Sequence, residues 1–93
     1  MQDLKLTLID STYSALDAKE VLNQLITDKI KFIDRQLFRN QERGVPFNIS
    51  LDQRGIRLRQ ERKKMMDILS TLDSDTELEI NCTVACKTKE TAI

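Results

Sequence analysis

The sequence predicts an α+β domain in the order β-α-α-β, a long antiparallel helix hairpin packed on a two-stranded antiparallel sheet. Two periodicities and one break point to it. Apolar residues alternate near both ends, at Leu4, Leu6 and Leu8 and again from Leu78 to Cys86, which is the period of a half-buried strand. Between them, apolar residues recur at three- and four-residue spacing in two segments, the period of a helix face. The segments are separated by Gly44-Val45-Pro46, which no helix runs through. With 93 residues, one domain spanning 1–93 is the limit.

The first strand is expected over 4–9. Ile9 breaks its alternation, so its side chain is expected on the opposite face. Helix 1 is expected over 14–43. Ser14 can accept from a backbone N–H one turn in, and Asp17 places negative charge at the positive helix end. Ala18, Val21, Leu22, Leu25, Ile26, Ile30, Ile33 and Leu37 form one broad apolar face. Arg39 and Arg43 suit the last turn, and Gly44 suits the left-handed position after it. Such a helix is about 45 Å long.

The turn is expected over 44–49 and helix 2 over 50–72. Ser50 and Gln53 form a capping box, and Leu51, Leu58, Met65 and Leu72 recur every seven residues. Gly55 costs about 1 kcal/mol inside a helix, which favours a start slipped to Ile56. The second strand, 77–87, puts Leu78, Ile80, Cys82, Val84 and Cys86 on one face and Glu77, Glu79, Asn81, Thr83 and Lys87 on the other. Residues 88–93 read as a tail.

Such a monomer looks incomplete. A two-stranded sheet is marginal alone, and its outer edges are unpaired. Phe32 and Phe38 lie at or beyond the margin of the helix 1 apolar arc. With Ile9 and Phe47 they are the candidate interface residues of a homo-oligomer, most simply a two-fold dimer. Oligomerisation is therefore expected to complete the fold.

Composition narrows the chemistry. There is no His, so the commonest general base and the commonest metal ligand are both missing. Ser-His and Cys-His nucleophilic pairs are excluded within the chain. Only Cys82 and Cys86 carry thiols; on one strand they lie roughly 13 Å apart, beyond the reach of a disulfide. They read as small buried apolar residues. Two glycines cannot build a phosphate loop. No catalytic, cofactor or metal site is expected, and the chain reads as a non-enzyme. Neither a signal peptide nor an apolar run long enough for a membrane is evident, so no membrane contact and a cytoplasmic location are expected.

One segment does carry concentrated charge. Arg54, Arg57, Arg59, Arg62, Lys63 and Lys64 face a single acid, Glu61. A basic helix can bind phosphate by releasing counterions, or can contact an acidic partner. At 100° per residue, however, the six spread around most of the helix, and Arg54 and Arg62 fall near its apolar sector. Ion pairing explains that better: in an antiparallel hairpin Arg62 lies level with residues 31–33, near Asp28 and Asp34. The expected role is an oligomeric structural or protein-interaction module with an unidentified protein partner. The alternative is a nucleic-acid-binding accessory protein using 54–64. Equal counts of 15 basic and 15 acidic residues hide a segregation, with a net −2 in residues 1–34, +6 in 35–64 and −4 in 65–93.

Overall fold

A computed structural model of the chain describes residues 3–89. Residues 90–93 of the expected tail lie outside the described residues, and Thr88 and Lys89 follow the last strand without regular structure. The order is β1 (Asp3–Ser14), α1 (Ala15–Glu42), α2 (Ile49–Ser70) and β2 (Glu77–Lys87). The two strands form an antiparallel two-stranded sheet.

β1 runs five residues beyond the expected strand, through the polar Asp10–Ser14 stretch, and a bulge explains why. Thr7 pairs with Thr83 but Ile9 pairs with Cys82, leaving Leu8 as the extra residue. Skipping Leu8 restores the alternation, so Leu4, Leu6, Ile9, Ser11 and Tyr13 share the face of Cys86, Val84, Cys82, Ile80 and Leu78. Ile9 is therefore not on the opposite face. It lies in the core at 8% exposure, while Leu8 is the residue left exposed.

Both helix starts are capped by local chemistry. Ser14 Oγ accepts from Asp17 N–H at 3.2 Å, as its position predicts. The free N–H groups of Ala15 and Leu16 donate to Thr76 O (2.7 Å) and Ser74 O (3.4 Å), which clamps the 71–76 connection onto the start of α1. α1 ends as expected. Gly44 takes φ +68°, Gly44 N–H donates to Gln41 O and Val45 N–H to Asn40 O, a Schellman closure. For α2 the cap moves upstream: Asn48 Oδ1, not Ser50, accepts from Leu51 N–H at 3.0 Å. Asn is at least as good a cap as Ser and lies nearer the turn, so helix geometry begins at Ile49.

Gly55 lies inside α2, so the helix start does not slip to Ile56. It is buried, and a Cβ built there would meet Ile33 Cγ2 at 3.3 Å and the Arg59 guanidinium at 3.3 Å. The propensity cost at this position is offset by the close helix approach that a bare backbone permits. Ile33 beside Gly55, Asp34 bonded to Arg59 and Thr27 bonded to Arg62 show that the helices run antiparallel.

The core is small: Ile9, Ala15, Ala18, Ile30, Ile33 and Leu69 are its buried hydrophobic residues. Ala15 and Ala18 let the start of α1 come close to its neighbours. The hairpin does not lie on the sheet as a unit. α1 makes the close backbone approaches to both strands; α2 packs on α1 and makes none comparable to the sheet. The far half of the sheet's apolar face is left open, with Leu4 at 54% and Leu6 at 40% exposure. The radius of gyration is 16.9 Å, against about 12 Å for a compact chain of this length.

Candidate interaction surfaces

The basic segment is divided by its partners. Arg59 Nη2 donates to both carboxylate oxygens of Asp34 at 2.7 Å, and both side chains remain nearly half exposed. Arg62, half-buried, donates from Nη1 to Thr27 Oγ1 at 3.2 Å. Asp28, one of its two expected carboxylate partners, accepts instead from Gln24 on its own helix. Arg62 thus meets α1 about one turn from its expected level, at Thr27, and Asp34 pairs with Arg59. Lys63 approaches Asp67 at 3.8 Å in an exposed i,i+4 pair. Arg54 is exposed rather than turned toward the apolar sector. Arg54, Arg57 and Lys64 remain exposed with no carboxylate partner among the described residues. Arg57 and Lys64 are seven residues apart, two helical turns, and so share one face.

The candidate interface residues separate into three situations. Ile9 is taken up by the chain's own core. Phe38 (61% exposed) and Phe47 (68%) come together at the hairpin tip, where with Leu37 and Val45 they line a groove of about 320 Å³. Asp34, Asn40, Gln41 and Asn48 form its polar part. Phe32, 51% exposed, stands apart from that groove on α1. Sequence reasoning missed Ile49, exposed beside the tip, and the open Leu4 and Leu6. Ile49 follows the Pro46-Phe47 turn and could have been recognised once Asn48 was seen as the cap.

Cys82 is half-buried and Cys86 exposed, both as free thiols, so the expectation of two buried cysteines is not met. They lie on the apolar face of β2, where Cys82 pairs with the buried Ile9 and Cys86 with the exposed Leu4. Among the described residues no group of three or more Cys, Asp or Glu side chains is placed to hold a metal ion. Among the same residues no helix is long and apolar enough to cross a membrane.

Comparison with known proteins finds no matching family model, no curated protein of similar sequence and no solved structure of similar fold.

Proposed function

We propose that this chain is a small non-catalytic module that acts through association, as an oligomeric structural or protein-interaction unit in the cytoplasm. The observation that carries this reading is its surface. The chain exposes 7796 Å², whereas a compact monomer of its 10.8 kDa mass exposes about 5,500 Å². That excess surpasses the roughly 800 Å² that each partner buries in a standard interface. Exposed large apolar side chains include a group at the hairpin tip, Phe38, Val45, Phe47 and Ile49, and another on the open sheet, Leu4 and Leu6, with Leu8, Leu16, Leu25, Phe32, Ile56 and Ile68 exposed elsewhere. Patches of that kind mark association surfaces in soluble proteins. Light scattering coupled to size exclusion at micromolar concentration is expected to give at least twice 10.8 kDa. A mass of 10.8 kDa would overturn the reading.

A nucleic-acid-binding role is favoured by one observation, the exposed Arg54, Arg57 and Lys64 on α2, which have no carboxylate partner among the described residues. If it holds, the chain is retained on nucleic acid at low salt, retention falls steeply toward physiological salt, and an Arg54→Glu/Arg57→Glu/Lys64→Glu variant is not retained at all. Absence of retention at low salt removes this second reading.

A further inference from the structure

We propose that β2 is the association edge for a second copy of this chain. The two β2 strands pair antiparallel about a two-fold axis at Cys82 and make one four-stranded sheet. The proposal rests on the oligomeric reading above and names its surface.

The ladder itself shows which backbone groups are available. Ala15 N–H donates to Thr76 O at 2.7 Å, so this pair is a hydrogen-bonded position just beyond Ser14↔Glu77. Alternation along an antiparallel pair then turns the backbone of Leu78, Ile80, Cys82, Val84 and Cys86 toward β1. The intervening residues, Glu77, Glu79, Asn81, Thr83, Ala85 and Lys87, turn their N–H and C=O groups outward. All six are exposed, and no third strand pairs with them among the described residues. The outer edge of β1 is less suitable, because the bulge at Leu8 shifts its pattern by one residue. β2 is uninterrupted over its 11 residues, an edge of the kind that templates pairing.

The edge is also complementary to itself. Cys82 is the midpoint of Glu77–Lys87. Rotation about it sets Glu77 opposite Lys87 of the second copy at both ends, and Asn81 opposite Thr83. Glu79 meets Ala85, so no like charges face each other. On the other face Ile80 meets Val84 and Leu78 meets Cys86. The outward-turned residues fall at hydrogen-bonded positions, as an antiparallel ladder requires. An axis perpendicular to the sheet keeps both apolar faces on one side. The open half of one copy then adjoins, through Val84 and Cys86 of β2, the half of the other that α1 covers, while Leu4 and Leu6 stay on the outer strand, about 10 Å from the second copy's β2.

This arrangement makes a chemical prediction. Cys82 faces its own copy at a non-hydrogen-bonded position, where Cα atoms lie about 4.5 Å apart, within disulfide range. Diamide accepts two electrons and two protons from the two thiols as the S–S bond forms. The wild-type chain and Cys86→Ser are expected to give a reducible covalent dimer, and Cys82→Ser none. Independently, Thr83→Pro removes an outward N–H without touching the ladder to β1, and is expected to weaken the dimer roughly tenfold or more. Lys5→Pro, the equivalent change on the β1 edge, is expected to leave it dimeric, with circular dichroism checking that both variants fold. A wild-type chain that light scattering shows to be monomeric overturns both this proposal and the oligomeric reading. A dimer that survives Thr83→Pro and does not cross-link through Cys82 overturns the β2 edge alone and leaves the oligomeric reading standing.

Discussion

Along β1 the apolar sheet face places similar aliphatic side chains in different environments. Near the helices Ile9 is 8% exposed, whereas toward the other end Leu6 is 40% and Leu4 54% exposed. Alternation alone does not distinguish them. On β1 the core contact is made at Ile9, so the hydrophobic stabilisation this strand gives the monomer comes mainly from there rather than from Leu4 and Leu6. The difference teaches that an apolar face records what the chain is able to bury, while the packing of the helices decides how much of it one copy does bury.

Truncating each half is the strongest way to break that comparison. Ile9→Ala is expected to cost about 3 kcal/mol in denaturant unfolding, as for other buried Ile truncations. Leu4→Ala under conditions where the chain is monomeric is expected to stay within about 0.5 kcal/mol. Equal losses in the two variants would show that the far half is covered in the monomer as well. The same contrast extends to the hairpin, where Gly55 lies against Ile33 at a spacing that leaves little room. Gly55→Val should destabilise by about 2 kcal/mol through overpacking; a neutral result would mean the helices stand farther apart than described.

A smaller effect separates the two possible starts of α2. Asn48→Ala should cost about 1 kcal/mol and Ser50→Ala almost nothing. The reverse order, read from thermal unfolding, would return the cap to Ser50. Smallest of all, Asp34→Ala should cost under about 1 kcal/mol, because both it and Arg59 are nearly half exposed. That cost should shrink as salt is raised. A loss above 2 kcal/mol that resists salt would place the pair in a much drier environment.

Much of the fold was legible from local chemistry. The Ser14 cap and the Gly44 closure depend on neighbours within a turn, and β2 carries an unbroken alternation. The start of α2 was legible only in part, since Asn48 and Ser50 both suit a cap and the turn geometry chooses between them. Ile9 was misplaced because a bulge has no signature in a single strand; it becomes visible only against the register of β2. Among the candidate interaction residues, Phe38 and Phe47 could be picked out separately, but their shared groove depends on how the chain folds back after Gly44. The fate of the basic residues was the least legible. Arg59 and Arg62 are three positions apart on one helix, and only the packing of α2 on α1 decides that Asp34 goes to Arg59 and Thr27 to Arg62.

By itself the sequence determined the element types, their order and the ends of α1, because propensity, capping and periodicity act over a few residues. It also determined that no histidine chemistry is available. The tertiary structure decided the bulge at Leu8, the approach of Ile33 to Gly55 and the exposure of the far sheet. Those features depend on register between segments tens of residues apart. A shift of one residue in a strand reverses its faces, and a shift of one turn in a hairpin exchanges its partners, so only the summed packing of the whole chain selects among them.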